Sequence, residues 1–187
     1  MQEQALENER LRSLLEFKQS LPYRSLPARI IGWDLSAYAR TVTINVGFRD
    51  GVQKGQAVIG AKGLIGQIID EPGRLSGPSW AQVLLITDPT SRVSVVVERT
   101  RDRGILEGIG KEDNLLLKYL APEARPIKGE VVVTSGLGGI FPQGIPVGKI
   151  ERIEQNPFSS SPQGRVRPSA DFAHLEELLV IIGEARQ

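Results

Sequence analysis

Few residues of this chain have the type and spacing needed for catalysis, and the first candidates are one serine and one histidine. Ser135 lies directly before the glycine-rich stretch Gly136 to Gly139, and His174 is the single histidine of the 187 residues. A serine-protease triad needs a histidine base held between an aspartate and the serine. No base lies near Ser135 in the sequence. We therefore predict that its hydroxyl bonds to nearby backbone in a turn.

Two aspartates and the histidine are also candidates for paired carboxylates or a metal site. Asp88 and Asp171 occupy equivalent positions of an internal repeat, and each precedes a short turn-like segment. They are predicted to accept backbone hydrogen bonds in turns, with His174 completing the turn of Asp171. The chain has no cysteine, and a lone imidazole is a poor metal site. We predict no metal ligand.

Phosphate-binding loops are the remaining chemical possibility. Gly139 and Gly144 have the spacing of such a loop, but Ile145 stands where the loop needs lysine. No helix follows that could present its N-terminus to a phosphate. The sequence therefore predicts no catalytic residue, no cofactor-binding residue and no cofactor.

The same glycine-rich segment is better suited to contact with another protein. Residues 134–150, TSGLGGIFPQGIPVGKI, hold five glycines and two prolines and have no ionisable group before Lys149. Such a composition excludes regular helix and predicts a long loop with an exposed apolar tip. The candidates for partner binding are Leu137, Ile140, Phe141 and Pro142.

A helix is predicted at the N-terminus, before the strands that are expected to position this loop. Residues 2–20 are good helix formers, and Leu11, Leu14 and Leu15 form one apolar stripe with Phe17 near its border. The stripe either packs on its own domain or pairs with a second copy, and the pattern favours neither. We assign residues 1–21 to a coiled-coil remnant for self-association and residues 22–27, which contain two prolines, to a linker.

Beyond the linker, short apolar runs separated by Gly, Pro, Asn and Asp predict twelve β-strands. They lie at 28–33, 41–46, 56–60, 64–70, 81–86, 92–98, 103–109, 114–120, 130–135, 146–154, 164–168 and 177–182. The first six and the last six align as an internal repeat, and the connection that contains the Gly/Pro segment is longer in the second copy.

This repeat predicts the fold. Turns too short for crossover helices require antiparallel strands, and closing each sheet removes its edges. We therefore expect a mainly β protein with two tandem six-stranded barrels, 28–98 and 99–187, distantly chymotrypsin-like in architecture. A single split sandwich is the structural alternative. The functional alternative is a degenerate or unconventional hydrolase on this protease-like fold, although fold alone is weak evidence of function.

Composition limits the class of partner. With 23 Lys+Arg against 22 Asp+Glu, the net charge of +1 gives no field to attract nucleic acid. No run is long and apolar enough to span a bilayer. Met1 is followed at once by a helical pattern without a capping residue, as expected of a chain trimmed from a longer protein.

Several of these motifs together resemble one protein family. The segments are ENERLRSLLEF at 7–17, VGFRDGVQKGQAVI at 46–59, GLIGQI at 63–68, LITDPTSRVSVVV at 85–97 and TSGLGGIFPQGIPVGKI at 134–150. They are similar to the extracytoplasmic part of the rod shape-determining protein MreC family, and the resemblance covers nearly the whole chain.

The resemblance implies a function as well as a fold. Members of this family are non-enzymatic, anchored in the inner membrane by an N-terminal transmembrane helix that this sequence lacks, and placed in the periplasm. They form homodimers or higher assemblies. As scaffolds of the elongation machinery they engage a class B penicillin-binding protein, MreD and RodA, and thereby direct peptidoglycan synthesis and maintain cell shape.

Overall fold

The computed structural model describes residues 1–36, 38–69 and 76–184. Within them it contains the helix α1 (Gln2–Ser20), a short 3-10 turn (Phe48–Asp50) and twelve strands. The strands are β1 (Tyr23–Leu35), β2 (Arg40–Ile44), β3 (Ala57–Gly60), β4 (Gly63–Ile69), β5 (Ala81–Leu85), β6 (Arg92–Val97), β7 (Arg103–Lys111), β8 (Asn114–Lys118), β9 (Val131–Thr134), β10 (Pro146–Gln155), β11 (Pro162–Pro168) and β12 (Glu177–Glu184). Asp70, the predicted end of one strand, and the last three residues of the predicted domain 99–187 lie outside the described residues.

The strands form two closed antiparallel barrels, which confirms the predicted fold class. The order around the first barrel is β1-β12-β3-β4-β5-β2, and around the second it is β10-β11-β8-β7-β6-β9. Side chains alternate between buried and half-buried along β2 and β5, as expected of strands that line a filled barrel. Both tryptophans belong to the first barrel region, Trp33 in β1 and Trp80 directly before β5.

The predicted boundary between the barrels at residue 98 is wrong, because the two halves of the chain exchange their last strands. β6, expected in the barrel at 28–98, pairs with β7 and β9 of the second barrel. β12, expected in the barrel at 99–187, pairs with β1 and β3 of the first. Hydrophobic alternation identifies a strand and its buried face but not its neighbours in the sheet. The pattern is therefore compatible with β6 or with β12 as the closing strand of the first barrel.

This exchange preserves the internal repeat. When β1 to β5 are matched to β7 to β11, and β12 to β6, the strand order around the two barrels is identical. Each half of the chain therefore supplies five strands to one barrel and the closing strand to the other. Neither barrel can close without the other half, so we infer one cooperative folding unit.

The predicted linker at 22–27 is also wrong. β1 begins at Tyr23 and continues through Pro27, which pairs with Leu179 of β12. Pairing of β1 with β2 starts only at Ile30, so Pro27 lies where β1 has a neighbour on one side. Proline is tolerated at such an edge position, where it interrupts at most one ladder.

Arg40 of β2 joins the first barrel to the second. Its backbone N–H donates to Asp88 Oδ2 at 2.7 Å, and its Nε donates to Thr87 Oγ1 at 3.1 Å. Its terminal nitrogens reach the β7–β8 hairpin, at 3.4 Å from the Gly110 carbonyl oxygen and 3.3 Å from Glu112 Oε1. The residue is only 5% exposed. The guanidinium therefore fixes the hairpin of one barrel against the strands of the other.

The same junction depends on a glycine. A Cβ atom at Gly108 in β7 would overlap the carbonyl oxygens of Ile86 and Asp88. The chain leaves the first barrel at these two residues, and the backbone of β7 packs directly against it. Glycine is needed here for close approach of two backbones.

Candidate interaction surfaces

The structure does not assemble a catalytic site around the serine and the histidine. Ser135 Oγ donates to or accepts from Ser94 Oγ at 2.8 Å and accepts from the Leu137 amide at 3.1 Å. His174 Nδ1 lies 2.8 Å from Asp171 Oδ2, and its side chain is 81% exposed. Ser135 is thus the predicted turn hydroxyl, and the hydrolase alternative gains no support.

Both candidate aspartates are turn residues, as predicted. Asp88 Oδ1 accepts from the Thr90 amide at 2.7 Å, and Asp171 Oδ1 accepts from the Ala173 amide at 3.1 Å. The hydrogen bond from His174 lowers the pKa of Asp171, and the Ala173 amide adds to this effect. The described residues contain no cluster of three or more potential metal-ligating side chains.

The Gly/Pro segment forms a loop that Thr134 closes. The Thr134 amide donates to the Ile145 carbonyl oxygen at 2.9 Å, and Thr134 Oγ1 accepts from the Ile145 amide at 2.9 Å. Four loop glycines have positive φ, at positions 136, 138, 139 and 144. Phe141 is 7% exposed and anchors the loop from inside, while Pro142 is half-buried. The loop is therefore held in one shape by its own contacts.

Two apolar side chains remain at the surface of this loop. Leu137 is 51% exposed and Ile140 is 45% exposed. They line a groove of about 750 Å³ between the loop and the first barrel, where Lys54, Gln56 and Ile182 form the opposite wall. The groove belongs to both barrels because the final strand, which carries Ile182, returns to the first one. We refer to it as the seam groove.

The helix α1 lies against the first barrel and covers part of its own apolar stripe there. Leu14 is 9% exposed and joins the hydrophobic core. Arg10 is 2.6 Å from Glu176, and Glu7 is 2.8 Å from Arg29. The hydrogen bond to Glu176 raises the pKa of Arg10. These contacts attach the helix to the barrel through both apolar and charged groups.

The outer part of the stripe stays accessible. Leu11 is 43% exposed and Leu15 is 54% exposed, and the four-residue spacing places them on one helix face. Phe17 is partly buried and packs against the core. Of the four residues predicted for self-association, the structure thus leaves Leu11 and Leu15 available and places Leu14 in an intramolecular contact.

Sequence reasoning missed the residues of the first barrel that line the seam groove, and it missed Arg40 at the junction between the barrels. Ile182 follows the loop by about forty residues, and Lys54 precedes it by about eighty. Nothing in their local sequence distinguishes them from ordinary barrel residues. Only the strand exchange brings them beside Leu137 and Ile140. For Arg40, no sequence pattern indicated a buried cation.

Comparison with known proteins gives one consistent result. Residues 30–182 match the family model described as "Rod shape-determining protein MreC, barrel core". The chain is 34% identical over 94% of its length to the cell shape-determining protein MreC of Haemophilus influenzae, and it covers 49% of that protein. It thus spans about half the length of this curated relative. The name of this relative describes a protein that determines cell shape, and it does not name an enzyme.

Solved structures agree. A crystal structure of MreC from Pseudomonas aeruginosa matches with a TM-score of 0.77 and 33% identity, over 84% of this chain and 99% of that one. A complex between penicillin-binding protein and MreC from Helicobacter pylori matches with a TM-score of 0.66 over 85% of this chain and 98% of that one. At 20% identity, that second likeness shows the fold alone.

Among the described residues, no helix combines the length and the apolar character needed to cross a membrane.

Proposed function

The chain belongs to the rod shape-determining protein MreC family, and from this membership we propose that it is a non-catalytic scaffold of the bacterial elongation complex. In this role it binds and organises peptidoglycan synthases at the inner membrane and thereby maintains cell shape. The observation that carries the proposal is the seam groove, an apolar surface shared by two interlocked barrels. A rigid body with such a surface suits docking, because little order is lost on binding.

The proposed partner is a class B penicillin-binding protein, with MreD and RodA as further members of the assembly. The Helicobacter pylori structure reports a complex of that organism's MreC with a penicillin-binding protein, which supports the same class of partner here. We propose that the chain lies in the periplasm as the extracytoplasmic part of a protein anchored in the inner membrane by an N-terminal transmembrane helix.

Within the seam groove, Leu137 and Ile140 are the proposed contact residues. Both present about half of their side-chain surface, whereas Phe141 is buried and supports the loop. Pro142 borders the groove and shapes its wall. Apolar side chains in a preformed groove with a polar rim have the character of an interface centre.

Substitution of the two exposed side chains tests this assignment. Leu137→Asp with Ile140→Asp is expected to weaken pull-down of the purified penicillin-binding protein by at least about tenfold, because charges would be buried in an apolar contact. Circular dichroism should show an unchanged fold. Ile127→Asp is the matched control, since Ile127 is 55% exposed outside the groove. Equal binding by both variants would remove the loop from the proposed interface.

Self-association is proposed to use the outer stripe of α1 in homodimers or larger assemblies. Leu11 and Leu15 are exposed, and Phe17 borders them from the barrel side. Leu11→Glu with Leu15→Glu should lower the mass measured by sedimentation, because two like charges would meet across the paired helices. An unchanged mass at all concentrations would contradict the use of this stripe in self-association.

A further inference from the structure

A second groove, of about 680 Å³, separates another face of α1 from the first barrel. Its floor is apolar and consists of Leu14, Ile65, Ala170 and Leu175, all of which are buried. Grooves of roughly 300 to 1,000 Å³ with an apolar floor are typical of sites that take a ligand. We refer to this one as the helix groove. It is separate from the seam groove and shares none of its lining residues.

One apolar side chain that lines the helix groove, that of Leu6, is exposed to solvent. Leu6 is 62% exposed on the helix wall. At about 100° per residue, Leu6 points about 140° away from Leu11 and about 180° away from Leu15 on the helix circumference. A dimer formed through the Leu11 and Leu15 stripe therefore leaves Leu6 in water. Leu6 is therefore available to an occupant of the groove.

Some of the charges around the groove are already balanced. Asp171 is paired with His174, and Lys62 contributes a further positive charge that lowers the Asp171 pKa. Glu176 is paired with Arg10 at 2.6 Å. The ion pairs account for Arg10 and His174, whereas Lys62 forms no ion pair with any residue that the structure describes. The lining nevertheless holds five carboxylates against two cationic residues, so its net charge is negative.

Three further carboxylates in the lining have no such partner. Glu3, Glu9 and Glu177 form no ion pair with any residue that the structure describes. Glu177 contributes only a long-range effect on Arg10. Glu3 and Glu9 lie on the helix wall beside Leu6, so the groove combines an apolar floor with negative walls in a chain of net charge +1. Charge complementarity therefore favours a positively charged occupant.

We propose that the helix groove binds a basic amphipathic helix from another protein. The lining of α1 extends from Glu3 to Leu14, which corresponds to about 16 Å or three helical turns. A helix of this length places its apolar residues on Leu6, Leu14 and Leu175 and its Lys or Arg side chains opposite Glu3 and Glu9. This is the helix-in-groove mode of recognition.

The probe for the test is a fluorescein-labelled 14-residue peptide with the repeat Leu-Lys-Lys-Leu-Leu-Lys-Leu. Fluorescence anisotropy should show saturable binding that weakens with salt. Glu3→Gln with Glu9→Gln is expected to raise the Kd by about tenfold, since each rim charge contributes a few-fold. Leu6→Ser is expected to raise it by about fivefold through lost apolar contact. Circular dichroism verifies that the variants keep the helix.

The matched control is Glu98→Gln with Glu123→Gln, which removes the same charge from exposed positions outside the groove. The proposal is overturned if this control weakens binding as much as the groove variant, or if a peptide with Glu in place of Lys binds equally well. A photo-crosslinking residue at Ser13 should attach to the peptide. Crosslinks between two copies of this chain in its place would show that a second copy fills the groove and would also overturn the proposal.

Discussion

Replacement of Arg40 by methionine tests whether one buried cation holds the two barrels together. Arg40→Met keeps an unbranched apolar stem and removes the guanidinium. The backbone bond from residue 40 to Asp88 remains, because it uses the main-chain N–H. The contacts to Thr87, Gly110 and Glu112 are lost. The substitution therefore isolates the side-chain link between the barrels.

The expected cost follows from these three contacts. The bond to Thr87 is charge-assisted and buried, and its loss costs roughly 1.5 to 3 kcal/mol. The long bond to Gly110 and the pair with the half-exposed Glu112 each add at most about 1 kcal/mol. Removal of a desolvated charge and the apolar packing of methionine offset part of this loss. We expect a net destabilisation of about 2 to 4 kcal/mol.

Urea unfolding measures this change directly, and thermal unfolding should show a decrease in Tm on the order of 10 °C for a chain of this size. Arg152→Met is the matched control, because Arg152 is also a strand arginine paired with one carboxylate but is 64% exposed. The control should lose less than about 1 kcal/mol. If both variants lose the same stability, Arg40 does not act as a structural link and the reasoning is refuted.

Three further predictions concern the folding unit, the junction and pH. Because the barrels exchange strands, urea unfolding followed by tryptophan fluorescence and by far-ultraviolet circular dichroism should coincide; separate midpoints would show that the barrels unfold independently. Gly108→Ala should destabilise by several kcal/mol, at least about 3, whereas Gly164→Ala, where a Cβ meets only ordinary contacts, should cost about 1 kcal/mol or less by the same measurement. His174→Ala should raise the pKa of Asp171 in a carboxyl NMR titration. Since that pKa is lowered in the folded state, the stabilising effect of Asp171 is present above its ordinary value of 3.8 and is lost as pH falls through the folded pKa. A titration curve that does not change would show that the imidazole has no influence.

Local sequence was a good guide to the individual elements. Alternation and turn residues located all twelve strands to within a few residues, although β1 begins five residues earlier than predicted. Its early start was missed because Pro22 and Pro27 are typical of a linker, whereas in the structure Pro27 is accommodated at a one-sided edge. The turn roles of Ser135, Asp88 and Asp171 were also predicted, since each depends on contacts a few residues away.

Local sequence was a poor guide to the surfaces. The stripe of α1 was a clear pattern, but the pattern does not distinguish Leu14, which the barrel covers, from Leu11 and Leu15, which it does not. The Gly/Pro loop likewise showed apolar residues without showing that Phe141 turns inward. Exposure depends on what lies opposite a side chain, and the opposite residues come from distant parts of the chain.

The sequence by itself determined the period of each element, the internal repeat and the absence of a local catalytic pattern, because these properties depend on residues close together in the chain. The tertiary structure alone decided which strand closes which barrel, and with it the seam groove, the helix groove and the burial of Arg40. The physical reason is that equivalent strands of a repeat carry the same hydrophobic pattern. Their pairing is selected by long-range packing at the junction between the barrels.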